Sequence, residues 1–218
     1  MPWCVAMSLR LTALLLWLSS VVASLITSPH LPAIVPVHWN LRGQPDRWGS
    51  KYELLLAGPG IILLIGLILV VTDRVDPRIR KEDNPRPRRE VGVWSLALLA
   101  ALHVLLLAHT SGMLADLPRA MSLALAAFCL FMGNVLTKIR PNSFAGIRTP
   151  WTLGSDEVWR ATHRLGGHLF FATGLGGLVA ALVTSGPVAI VLLTIGLLGT
   201  SLVSVGYSYV LFQKLQPR

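Results

Sequence analysis

The sequence predicts an all-α, polytopic membrane bundle of six transmembrane helices with both termini on the cytoplasmic side. Three observations carry this. Hydrophobic residues make up 53% of the 218-residue chain and charged ones only 13%, where a soluble domain carries about 25% charged residues. The apolar residues gather into charge-free runs of membrane-crossing length, since a hydrocarbon core of ~30 Å takes about 20 helical residues. The 19 Lys and Arg fall in the gaps between these runs, and unevenly.

The first run extends from Leu11 to Thr27, the second from Leu54 to Thr72 and the third from Val91 to Thr110. The fourth spans Ala120 to Thr137, the fifth Gly166 to Ser185 and the sixth Pro187 to Phe212. Fifth and sixth are divided at Ser185-Gly186-Pro187, a turn signal. Pro59, between Gly58 and Gly60, is expected to kink the second. Small-xxx-small pairs, Ala172 with Gly176 and Gly177 with Ala181, allow close helix approach within the bundle, with the face of a homo-oligomer as the alternative.

Cations flanking membrane helices tend to stay in the cytoplasm. With the N-terminus inside, only Arg42, Arg47, Lys51 and Arg119 fall outside, and the other 15 of the 19 fall inside. An odd number of spans would split the basic loops across both faces. The net charge of +9 then reflects helix-end cations drawn to anionic headgroups. Membrane lipids are the expected partners, with no direct nucleic-acid contact. The connector Asp73 to Glu90 mixes seven cations, five acids and three prolines, which suits a flexible tether, with a docking site as the alternative. It divides the chain into a two-span domain, residues 1–90, and a four-span domain, residues 91–218.

The first run, preceded by Arg10 and followed by Val22-Ala23-Ser24, has a competing reading as a cleaved signal peptide; a retained span is preferred. The start at Met1 or Met7 stays open. Cys4 and Cys129 have no paired spacing for a disulfide or a metal knuckle, and the six histidines form no H-E-x-x-H. No cofactor or metal is expected. His103 lies in the middle of the third run, where an ionisable group is a functional candidate. A neutral imidazole satisfied by a carbonyl or a serine of another helix is the preferred reading, and Asn134 is read the same way, as an interhelical hydrogen-bonding group.

Two polar islands interrupt the apolar pattern. The first holds His38, Trp39, Asn40, Gly43, Asp46 and Trp48 among four prolines, so a structured external loop is expected. Indoles favour the headgroup level, which makes anchoring the plain role of Trp39 and Trp48. His38, Asn40 and Asp46 would organise either a turn or a ligand, and a metal bridged by His38 and Asp46 is weaker than the turn reading. The second island, Asn142 to Trp151, leads into a helix start at which Ser155 caps and Asp156 and Glu157 favour the dipole. Residues 155–165 are expected as an amphipathic helix on the cytoplasmic interface, with Asp156, Arg160 and Arg164 on one face and Val158, Trp159, Thr162 and Leu165 on another.

These islands carry a resemblance. His38-Trp39-Asn40, with Gly43, Asp46, Trp48 and Lys51, resembles the P-x-H-[FW]-N-x-x-G-x-x-D signature of a small membrane domain that commonly opens SdpI-type proteins. Asn142, Gly146-Ile147-Arg148-Thr149-Pro150-Trp151-Thr152-Leu153, Val158-Trp159, Thr162-His163-Arg164 and Gly167 resemble the SdpI family itself. The two signatures cover residues 30 to 180. The resemblance implies a multi-span protein of the bacterial cell membrane, whose best-known member gives immunity against a secreted killing peptide and holds a transcriptional repressor at the membrane. Many relatives occur without such a toxin nearby.

The expected function is an immunity or signalling receptor for a secreted antimicrobial peptide, not an enzyme. His38, Trp39, Asn40, Gly43, Asp46 and Trp48 would meet the ligand. Asn142, Gly146, Arg148, Thr149, Pro150, Trp151, Trp159, His163, Arg164 and Gly167 would hold the bundle or report its state. A cytoplasmic repressor would dock on the connector. A membrane enzyme acting on a lipid or peptide is the first alternative, although no Ser-His-acid or Cys-His set stands in a recognisable context. A transporter is the second, weakened because no acid lies mid-membrane.

Overall fold

The structure is a computed structural model that describes residues 9–40, 44–75, 86–142 and 145–216. Gly43 and residues 76–85 of the connector lie outside the described residues. In chain order come α1 (Leu9–Thr27), a 3-10 turn (Ser28–His30), β1 (Ile34–Trp39), β2 (Pro45–Ser50), α2 (Lys51–Val75) and α3 (Arg86–Thr110). Then follow α4 (Leu117–Leu136), the short α5 (Pro150–Gly154), α6 (Asp156–Val183) and α7 (Gly186–Leu215). Among the described residues, six helices, all but α5, are long and apolar enough to cross a membrane. The helical membrane class holds, and the structured loop of the first island is an antiparallel β-hairpin.

The helices are built inside out relative to a soluble bundle. α7 buries Gly186, Ala189, Leu193, Thr200, Ser204 and Ser208, and exposes Leu192, Ile195, Leu198, Leu202 and Val205. In lipid no hydrophobic force draws helices together, so small residues and hydroxyls that pack or hydrogen-bond face inward. Thr173 Oγ1 and Thr200 Oγ1 lie 2.8 Å apart, one such bond between α6 and α7.

Contacts divide the chain into two compact units, residues 1–72 with 92–117 and residues 73–91 with 118–218. In the first, Leu31, Val35, Leu54, Leu55 and Leu107 form a buried cluster. His103 is buried there and its Nε2 lies 2.9 Å from Ser24 Oγ of α1. Ser24 Oγ also donates to Leu55 O at 2.9 Å. A hydroxyl has one proton, so Ser24 accepts from His103 Nε2–H, and three helices share one polar knot. Ser24→Ala leaves the His103 N–H without its acceptor and is expected to lower stability by about 1 kcal/mol, read as a lower melting temperature of the purified protein.

In the second unit, three expectations change. α6 runs unbroken from Asp156 to Val183, so residues 155–165 are no separate helix lying on the interface. Asp156, Glu157, Arg160 and Arg164 are exposed while Val158, Trp159, Thr162 and His163 are buried within the protein. Gly166 and Gly167 each cost a helix about 1 kcal/mol, but they sit where packing is too close for a side chain: a Cβ on Gly167 would come within 2.8 Å of Gly133 O. Asn134 is exposed and its Oδ1 accepts from Lys138 Nζ at 3.0 Å, so it makes no interhelical bond of the expected kind. Gly176 faces open space; the close-packed small residues of α6 are Gly167, Gly174, Gly177 and Ala181.

α4 starts at Leu117, which puts Arg119 in its first turn. Arg119 Nη1 donates to Ala181 O at 2.6 Å and Nη2 to Thr184 O at 2.9 Å. These carbonyls end α6 and have no partner within their helix, so a cation both satisfies them and opposes the negative end of the dipole. The turn at Ser185-Gly186-Pro187 separates α6 from α7, with Pro187 in the first turn of α7 where its missing N–H costs nothing.

Candidate functional site

The hairpin is seated at its base and open at its tip. β1 pairs with β2 through Ile34–Ser50, Val35–Gly49, Pro36–Trp48, His38–Arg47 and Trp39–Pro45, with register shifts around His38. Val35 is fully buried in the cluster with Leu54, Leu55 and Leu107. Lys51 N donates to Ala33 O and Lys51 Nζ to Ser28 O, each at 3.0 Å, which ties the end of β2 to the chain entering β1. Arg47 pairs with Glu53 of α2 at 2.8 Å.

At the tip, Asn40 closes the turn. Its N–H donates to Gln44 O at 2.9 Å and its Oδ1 accepts from Gln44 N at 3.1 Å. His38 Nδ1–H donates to Asp46 Oδ1 at 2.5 Å across the strands, and both side chains are exposed. The pair that sequence spacing left between turn and ligand is thus a cross-strand clasp with its outer edges in solvent. Trp39 packs edge-on against His109 of α3, ring centroids 6.1 Å apart, and its buried Nε1–H has no partner among the described residues. Trp48 is 60% exposed.

Ile34 and Tyr52, neither singled out by the sequence, are as exposed as Trp48. Tyr52 opens α2, beside Lys51, whose ammonium stands 5.8 Å from its ring. A tyrosine at the start of an apolar run was the signal available. Beside the exposed but paired His38, Asp46 and Arg47, the hairpin offers Ile34 and Trp48 as apolar and aromatic surface.

The second island is built differently, around His163. Ile147 N–H donates to His163 Nε2 at 3.0 Å, so that nitrogen carries no proton, and Nδ1–H donates to Trp159 O at 2.9 Å. The ring is a neutral bridge between the loop and α6. Gly146 has φ +120, and a Cβ there would collide with the His163 ring, so only glycine fits on both counts. Trp159, fully buried, stacks on His163 at 4.0 Å and donates from Nε1 to Ile139 O at 2.9 Å.

Asn142 folds the loop on itself. Its Oδ1 accepts from Ala145 N at 2.7 Å and its Nδ2 donates to Arg140 O and Ala145 O at 2.9 and 3.1 Å. Thr149 and Thr152 form a reciprocal capping box that starts α5, with Pro150 in its first turn. Thr149 Oγ1 lies 3.2 Å from Ser208 Oγ of α7, and Trp151 packs edge-on against Tyr209 at 5.0 Å. Asn142, Gly146, Thr149, Trp159 and His163 thus converge through one network. Arg148 and Arg164 are exposed, and Gly167 serves the crossing of α4 and α6 instead. Thr152 stands in the motif but is not singled out as a site residue by the sequence, and Ser208 carries no signal of its own.

Residues 138–208 match the SdpI/YfhL protein family, and residues 15–63 match a domain of unknown function, DUF1648. The chain thus carries an SdpI/YfhL-like stretch that follows a DUF1648-like one. It is 22% identical over 199 residues to the "Immunity protein SdpI" of Bacillus subtilis (strain 168), covering 90% of this chain and 92% of that protein. A 58-residue stretch is 40% identical to an uncharacterized protein of Archaeoglobus fulgidus, covering 27% and 30% of the two chains. No solved structure matches the chain significantly. With six helices long and apolar enough to cross a membrane among its described residues, the chain is a multi-pass protein of the bacterial cell membrane.

Proposed function

We propose that this protein is an immunity or signalling receptor for a secreted antimicrobial peptide, not an enzyme, and that the hairpin is its ligand-binding element, exposed outside the cell. The observation that carries the reading is the hairpin itself: a small, internally paired platform that exposes Ile34 and Trp48, with Tyr52 exposed beside it at the start of α2. Aromatic side chains on a rigid base bury large area at small entropic cost, which favours peptide binding. The likeness to an immunity protein over 90% of the chain supports the class of role.

In this reading His38, Asn40 and Asp46 hold the tip in the form the peptide meets, Trp39 backs it, and Gly43 is counted with them on its sequence alone. The division of labour follows residues 1–90 and 91–218, with the network around His163 and Trp159 as scaffold. Arg148 and Arg164, both exposed and expected on the cytoplasmic side from the distribution of cations, and the connector would take up a cytoplasmic repressor; the described end of that connector carries an Arg86–Glu90 pair at 2.8 Å.

The test is survival of a sensitive bacterial host that expresses the chain and is challenged with secreted antimicrobial peptides. His38→Ala and Asp46→Ala are each expected to bring protection down to that of an empty vector at unchanged amounts of membrane protein. Full protection by both variants would sink the hairpin as the binding element.

A further inference from the structure

A cavity of about 370 Å³ opens between the last two turns of α4 and the middle of α6, lined by Leu130, Asn134, Thr137, His168 and Phe171 among others. Its walls are of two kinds. Leu130 and Phe171 are apolar, and Phe171 is 48% exposed on the outer surface of a membrane-crossing helix. Asn134, Thr137 and His168 are polar and sit where α4 ends, at the depth where a span leaves the hydrocarbon.

The polar end is rich in donors. Lys138 Nζ reaches Asn134 Oδ1 at 3.0 Å, which occupies the amide oxygen and leaves the Asn134 NH2 to face a ligand. His168 is exposed and has no hydrogen-bond partner among the described residues. Asp156, Arg160, Arg164 and His168 follow at four-residue spacing on α6, all exposed, so beyond the acid of the first turn two guanidiniums and an imidazole lead to the cavity. No acidic side chain lines it.

We propose that this groove seats one anionic phospholipid, its phosphate taken by Lys138, Asn134 and His168 and an acyl chain lying against Leu130 and Phe171. The occupant follows from the arrangement: a cationic, donor-rich end at interface depth continues into an apolar, lipid-facing wall. A soluble anion would use only the first, and a neutral lipid would leave these cations unanswered. Seated there, the lipid would bridge the end of α4 and the middle of α6, and none of the residues proposed to hold it belongs to the hairpin, so the site stands independently of any peptide ligand.

The experiment is native mass spectrometry of the full-length protein, released from detergent after incubation with phosphatidylglycerol or phosphatidylcholine. One phosphatidylglycerol retained in preference to phosphatidylcholine is expected. Lys138→Gln and His168→Gln should each weaken that retention, with a loss of about fivefold for Lys138→Gln, the worth of one cation at a membrane surface. Lys214→Gln, which removes an exposed cation elsewhere, should leave it unchanged. Equal retention of the two lipids would overturn the proposal. So would selective retention that both groove variants leave intact, because the lipid would then bind elsewhere. Displacement of the lipid by glycerol phosphate at equal concentration would show an anion site and not a lipid seat.

Discussion

Replacing Gly174 with valine is expected to disrupt the second unit, while the same change at Gly176, on the opposite face of the same helix, should be nearly neutral. A Cβ at position 174 would lie 2.7 Å from Leu130 N and 2.8 Å from Ala126 O, both backbone atoms of α4 that cannot rotate aside. At position 176 nothing lies within 4 Å. Overpacking of a tight core costs about 1–3 kcal/mol, and the rigid neighbours here place Gly174→Val at the upper end. The readout is the melting temperature of the purified protein together with its yield in the membrane. Equal behaviour of the two variants would contradict the crossing of α4 and α6.

The other large effect belongs to Trp159→Ala. This residue is fully buried, packs in the cluster with Met132, Val135, Leu136 and Ile139, and holds Ile139 O through its indole N–H. Truncating a buried tryptophan costs about 3–5 kcal/mol, and here the change also removes the stack under His163 and hence the support of the Ile147 N–H. A lower melting temperature should therefore come with faster proteolysis of the loop between α4 and α5. Trp151→Ala, which removes an edge-on contact with Tyr209, should cost about 1 kcal/mol. A Trp159 variant as stable as the Trp151 variant would show that the loop is held by something else.

The helices were legible in the sequence because lipid imposes a simple rule, twenty uncharged residues per crossing, and the turn at Ser185-Gly186-Pro187 is written in residues with a fixed conformational preference. So was the fate of His103, since a buried imidazole must find a partner and Ser24 provides one. What stayed hidden depends on distant pairing. The β-hairpin has only six residues per strand and bulges at His38, too short and irregular for an alternating pattern. The continuity of α6 through Gly166 and Gly167 is decided by the approach of Gly133 on another helix, a fact no local window contains. Arg119 was read as an external loop charge because its partners, the carbonyls of Ala181 and Thr184, lie more than sixty residues away.

The candidate sites divide in the same way. Residue types alone marked His38, Asn40 and Asp46 as turn-forming or ligand-binding, and the hairpin brings them together at its tip. The motif around Gly146 and His163 carried no sign of its internal logic, which is a neutral ring locked between Ile147 N–H and Trp159 O.

The distribution of cations puts the hairpin outside the cell and the loop around Arg148 inside as an expectation. A membrane-impermeant maleimide applied to intact cells tests it directly, in a background with Cys4 and Cys129 replaced by alanine. Trp48→Cys, at an exposed position of β2, should be labelled at once, and Arg148→Cys only after the membrane is permeabilised. Labelling of Arg148→Cys but not Trp48→Cys in intact cells would contradict the account and remove the hairpin from reach of any secreted peptide.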